Sequence, residues 1–118
     1  MKITDLKPTI VWKFFHQVTQ VPRPSKKEGK MIEFLESFAK EYKIAIKKDE
    51  AGNLLMSKPA TPGMEDRPVV VLQSHMDMVC EKNNGTKHDF DNDPIETIVD
   101  GEWLRANGTT WEPIMVSV

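Results

Sequence analysis

The run Pro68-Val69-Val70-Val71-Leu72-Gln73 is nearly continuous in β-branched and apolar side chains, and it restricts the possible folds of this chain more than any other segment. A strand with one wet face alternates apolar and polar residues. A strand with no polar face needs cover on both sides, as at the centre of an α/β sheet. The run leads into Ser74-His75-Met76-Asp77, so a buried strand would deliver a histidine and a carboxylate at its C-terminal end. In open α/β sheets that edge is where ligands bind, and side chains two apart on an extended chain point the same way.

The flanking segments predict what would surround such a strand. Ile10, Val11, Phe14, Phe15 and Val18 recur at helical spacing behind Pro8, predicting a first helix over roughly 8–18. Val21-Pro22-Arg23-Pro24 breaks it and sends the chain into an extended link. Ser25-Lys26-Lys27-Glu28 reads as a capping box for a second helix, with Met31, Ile32, Leu35, Phe38 and Ala39 on its apolar face. Ile44 to Asp49 and Leu54 to Lys58 alternate across the turn Ala51-Gly52-Asn53, which predicts a β pair. Residues 59–67 carry Pro, Gly and charge and read as an exposed loop. Near the end, Ile95 to Val99 and Glu102 to Leu104 flank Asp100-Gly101, a hairpin signal. Two helices, a β pair, a buried strand and a hairpin form the beginning of an α/β domain with an incomplete sheet.

Composition excludes several function classes. With 16 basic and 18 acidic residues the formal net charge is −2, whereas nucleic-acid binders need a basic surface. No stretch approaches the roughly 18 apolar residues of a membrane span. The N-terminus lacks the apolar core and small-residue cleavage site of a secretory signal, and the single cysteine, Cys80, fits a reducing compartment. The expectation is a cytoplasmic protein without nucleic-acid or membrane partners.

A neutral imidazole is a good zinc ligand. A carboxylate beside it accepts the other ring N–H, fixing the tautomer and raising the basicity of the metal-binding nitrogen. His75 and Asp77 have the spacing for that division of labour, although a solvated pair at a strand end has the same spacing. The remaining candidates have blander explanations. Cys80 reads as a small buried hydrophobe rather than a nucleophile or ligand, and His16 has no ligand neighbour one helical turn away. His88, Asp89, Asp91 and Asp93 lie in an Asn- and Pro-containing loop that lacks the glycine and terminal Glu of a calcium loop.

The stretch Leu72-Gln73-Ser74-His75-Met76-Asp77-Met78-Val79-Cys80-Glu81-Lys82 resembles the first metal motif of the aminoacyl-histidine dipeptidases, also called peptidase D, Xaa-His dipeptidase or cytosol non-specific dipeptidase. Val21 to Ser25, Asp49 to Asn53, Lys58 to Glu65 and His88 to Ile95 extend the resemblance on both sides. It implies a two-zinc metallopeptidase that hydrolyses unblocked dipeptides, with His75 binding one zinc and Asp77 the catalytic-site acid that orients it. It also implies a homodimer for the full-length protein. The bridging aspartate, the general-base glutamate and the other ligands of that family come later than this chain reaches, so the chain alone is expected to lack activity. The alternative is a non-catalytic relic or protein-association fragment.

The resemblance covers residues 1–110, the N-terminal portion of a metallopeptidase catalytic domain, and then stops. After Gly108-Thr109-Thr110 the family continues Leu-Gly-Ala-Asp-Asn-Gly-(Val or Ile)-Gly, whereas this chain reads Trp111-Glu112-Pro113-Ile114-Met115-Val116-Ser117-Val118. If the family segment is encoded TTG GGA GCC GAT AAT GGT GTC GGT followed by G, reading one base later gives TGG GAG CCG ATA ATG GTG TCG GTG. That translates as Trp-Glu-Pro-Ile-Met-Val-Ser-Val, the ending of this chain. Residues 111–118 are therefore expected to be a frameshifted tail, with one base missing near codon 110 or 111.

Overall fold

The structure, a computed structural model, describes residues 1–110; residues 111–118, expected to be a shifted-frame tail, lie outside the described residues. A 3-10 turn at Ile3–Asp5 precedes helices α1 (Thr9–Thr19) and α2 (Gly29–Glu41). Four strands follow, β1 (Ala45–Lys48), β2 (Leu54–Ser57), β3 (Thr97–Asp100) and β4 (Trp103–Ala106). They form two small antiparallel sheets, β1-β2 and β3-β4, which with the two helices are consistent with part of an α/β domain.

The helices follow the periodicity of their apolar residues. Pro8 occupies the N-cap position of α1, where its missing N–H costs nothing. The facing sides of α1 and α2 meet through rings: Phe14 lies edge-on to Phe38 at 5.4 Å and to Tyr42 at 5.7 Å, an arrangement the ring quadrupoles favour. α2 begins later than a cap at Ser25 would place it. Its N-cap is Glu28, whose carboxylate accepts the Lys26 N–H at 2.7 Å, and the Ser25 hydroxyl bonds elsewhere.

β1 and β2 pair from Ala45↔Ser57 to Lys48↔Leu54. The Asp49 carboxylate closes their turn by accepting the backbone N–H and side-chain amide of Asn53, each at 2.8 Å. In the second hairpin Asp100 pairs with Trp103, so the turn residues are Gly101-Glu102, one position later than the Asp100-Gly101 expected. Gly101 has φ +59°, a left-handed conformation that costs glycine little.

Residues 69–72 differ from the sequence expectation. Within the run 68–73 expected as a buried strand, Val69 to Leu72 form neither helix nor strand, and their side chains are 61–90% exposed. Among the described residues no strand pairs with 69–72. Its composition encodes burial on two faces, but the described residues contain neither the neighbouring strands nor the helices that would cover it. The same deficit appears globally. The chain exposes 9224 Å², against about 6500 Å² for a folded monomer of its mass. Its radius of gyration is 16.2 Å, against about 13 Å for a compact domain of this length. The buried apolar side chains among the described residues are Ile3, Met31, Ala39, Met78 and Ile95.

Candidate functional site

Residues 74–82 contain neither helix nor strand, and cross-links from two distant segments hold them. On one side the link after α1 docks as a short parallel bridge, Pro24↔Met78. The Met78 N–H donates to the Arg23 carbonyl at 2.9 Å, and the Ser25 N–H donates to the Met78 carbonyl at 3.2 Å. Arg23, which is buried, adds a bond from Nη1 to the Met76 carbonyl at 3.3 Å.

On the other side the chain leaving β4 pins residues 79–83. The Thr110 N–H donates to the Glu81 carbonyl at 2.8 Å, the Thr110 hydroxyl to the Val79 carbonyl at 2.7 Å, and the Asn83 N–H to the Gly108 carbonyl at 2.8 Å. Gly108 is needed there, because it has φ +72° and a Cβ would fall 2.6 Å from the Thr86 hydroxyl.

Within this frame the His75 Nδ1 lies 3.0 Å from Asp77 Oδ1. The carboxylate can only accept, so the bond assigns a proton to Nδ1 and leaves the lone pair of neutral imidazole on Nε2. His75 is exposed, which leaves that nitrogen open to a ligand. The second carboxylate oxygen, Asp77 Oδ2, accepts the Ser25 hydroxyl at 2.5 Å. Thus the two residues singled out by sequence are brought together. The third, Ser25, is not legible in the sequence, because its partner is 52 residues away and its local pattern reads as a helix cap.

These bonds hold the Asp77 carboxyl below its ordinary range. The Ser25 hydroxyl is the main cause; the His75 hydrogen bond and charge add to it, and partial burial opposes it. A carboxylate whose folded-state pKa is depressed contributes stability that is present above its unfolded pKa, near 3.9, and lost as pH falls through the lower folded value. The expected outcome is that wild type loses more stability than Asp77→Asn between about pH 5 and about pH 3. Urea midpoints of the two proteins at each pH check this; equal losses would contradict it.

The other candidates do not join the pair. Burial is the main cause that pushes the Cys80 thiol up, and the Asp91 charge adds to it, the opposite of what a nucleophile or thiolate ligand needs. The acidic side chains of 89–93 are used within the loop or against the link before α2. Asp89 accepts the Asp91 N–H and the Asn92 amide, Asp93 accepts the Asp89 N–H, and Asp91 pairs with Lys27 at 2.7 Å. The His88 ring packs on Phe90 at 4.5 Å, and His16 stays on the half-buried side of α1. Among the described residues no three His, Cys, Asp or Glu side chains converge as a metal site. A cleft of about 350 Å³ lies between Pro22, Pro24, Lys27, Lys30, Asp91 and Asn92. His75 and Asp77 are not among its lining residues.

No family model matches the chain. Over 109 residues it is 46% identical to the cytosol non-specific dipeptidase of Escherichia coli (strain K12), covering 92% of this chain and 22% of the relative. Its fold matches the crystal structure of the aminoacylhistidine dipeptidase from Vibrio alginolyticus with a TM-score of 0.88 and 44% identity, again over 92% of this chain and 22% of that one. The chain therefore spans about a fifth of the length of the relatives it matches. No described helix is long and apolar enough to cross a membrane.

Proposed function

We propose that this chain, related in sequence and fold to the aminoacylhistidine and cytosol non-specific dipeptidases over 22% of their length, carries the first metal motif of a two-zinc dipeptidase. His75 is the zinc ligand, through Nε2, and Asp77 is the carboxylate that orients it. The observation that carries the reading is the 3.0 Å approach of His75 Nδ1 to Asp77 Oδ1, the arrangement that raises the basicity of a metal-binding imidazole.

The fit to zinc is partial. His75 suits one coordination position, but a zinc site takes about four ligands, three or more of them from protein. The described residues bring no second ligand to the pair. The hydrolytic step therefore belongs to residues beyond the described ones, and the contribution of this chain is to hold one ligand in its binding tautomer. At the level of the whole protein the function is hydrolysis of unblocked dipeptides, Xaa-His among them, by a cytoplasmic homodimer. In this reading residues 1–110 are the N-terminal portion of the catalytic domain, and residues 111–118 are a shifted-frame tail.

A second reading, a non-catalytic association fragment, is favoured by the exposed apolar run at 69–72, because uncovered strands invite pairing with other chains.

The coding sequence from codon 105 past codon 118 separates the two. Insertion of one base near codon 110 is expected to restore Leu-Gly-Ala-Asp-Asn-Gly and a long open frame. Its product is expected to hydrolyse Xaa-His dipeptides and to lose that activity to a chelator and to His75→Ala. A sequence that restores no such frame, or a product indifferent to His75→Ala, moves the association reading ahead.

A further inference from the structure

We propose that Ser25 is a positioning residue for the His75–Asp77 pair: its hydroxyl occupies Asp77 Oδ2, so that Oδ1 alone faces the His75 Nδ1 proton. The proposal rests on the reading of His75 as a metal ligand and extends it to a third side chain.

Four observations support it. The Ser25 hydroxyl reaches Asp77 Oδ2 at 2.5 Å and the Met78 carbonyl at 3.3 Å. A hydroxyl has one proton to give, and the shorter, charge-assisted bond to the carboxylate is the stronger claim on it. The two carboxylate oxygens are divided, Oδ2 to Ser25 and Oδ1 to His75, which fixes the rotation of the carboxylate about its last bond. A carboxylate held at one oxygen only could turn and offer either oxygen to the ring. Ser25 is itself fixed to the segment it orients, because its N–H donates to the Met78 carbonyl and Met78 N–H donates to the Arg23 carbonyl. Finally, the local alternative for Ser25 is not realised: α2 starts at Gly29, and its N-cap, Glu28, has no side-chain capping bond.

The role is indirect. Ser25 touches neither the open Nε2 nor anything bound there; it acts through Asp77 on the ring tautomer.

The test is the ¹⁵N spectrum of the histidine rings in the 118-residue chain, recorded well above the ordinary imidazole pKa of about 6.5 so that the rings are neutral. His75 is assigned by its disappearance in His75→Gln. In wild type the His75 signals are expected to report a proton on Nδ1 rather than the mixture of a solvated imidazole. The decisive pair is Ser25→Thr and Ser25→Val, which share a shape and differ in the hydroxyl. Ser25→Thr is expected to keep the Nδ1–H state, and Ser25→Val to shift His75 toward the solvated mixture.

Identical His75 spectra in the two variants would overturn the proposal, as would a solvated mixture in wild type. This readout needs no metal and no substrate, so it separates two failures. Dipeptide turnover by the restored-frame product with indifferent Ser25 variants sinks the positioning role alone. A hydroxyl-dependent tautomer in a restored-frame product without turnover sinks the dipeptidase reading and leaves the relay standing.

Discussion

A polypeptide of these 118 residues, supplied with zinc and an unblocked dipeptide, is expected to release no more free amino acid than zinc alone. The argument is one of coordination. Zinc needs several protein ligands at once, and among the described residues only His75 is presented with a carboxylate behind its ring. Residues 111–118 add only Glu112 to the ligand-type side chains. A single imidazole holds the ion weakly and leaves it largely hydrated, so neither a shared water nor a polarised carbonyl is organised. Enzymes of ordinary power accelerate such reactions by at least ~10⁶, and the expected loss is essentially all of that. Separation of free amino acids after incubation, with a zinc-binding titration alongside, checks this. Stoichiometric binding with chelator-sensitive turnover would show that the chain is a complete enzyme. Turnover sensitive to a thiol reagent instead would point to Cys80, against the upward push that burial gives its thiol.

The second large effect concerns stability. Met31 is 0% exposed, and it is the largest fully buried side chain among the described residues. It projects from α2 into a core with few other members, where Ile3, Ala39, Met78 and Ile95 are the remaining buried apolar side chains. Truncating a buried Met to Ala costs about 2–5 kcal/mol. Domains are stable by only about 5–15 kcal/mol, and a chain with this much excess surface belongs at the bottom of that range. Met31→Ala is therefore expected to leave at most about 3 kcal/mol of stability at 25 °C, read as a large fall in the urea midpoint of the helical circular dichroism. Val70→Ala, at a site 80% exposed, is expected to leave the urea midpoint unchanged. Equal midpoints for wild type and Met31→Ala would mean that the α2 face is not the core.

Patterns that are local in sequence were the legible ones. The apolar spacing of Ile10 to Val18 and of Met31 to Ala39 predicted α1 and α2 because a helix repeats every 3.6 residues wherever it occurs. The turn residues Gly52 and Gly101 located both hairpins, since few residues accept positive φ. His75 and Asp77 were also legible, being two residues apart on an extended segment.

The rest depended on partners far away in the chain, or outside the described residues. Val69 to Leu72 spelled burial, and what a sequence spells is an affinity for cover. Whether cover exists depends on elements that this stretch does not contain. Ser25 was the opposite case. Ser-Lys-Lys-Glu supports a capping box, and it supports a long-range hydrogen bond equally well. Only the three-dimensional arrangement shows that the hydroxyl goes to Asp77.

The docking of residues 23–25 against 76–78 also sets an order of events. Ser25 and Asp77 are 52 residues apart, so bringing them together closes a loop that costs about 3.5 kcal/mol of chain entropy in its length-dependent part. The two hairpins close over a few residues and form in about 1–10 μs. The closure cost predicts that the histidine acquires its orientation late, after the hairpins exist. A population with both hairpins intact can still have a freely turning His75. A stronger β1-β2 turn, which lies inside the stretch from Ser25 to Asp77, would shorten the chain still to be closed, and shortening or stiffening the loop at 59–67 would act in the same way.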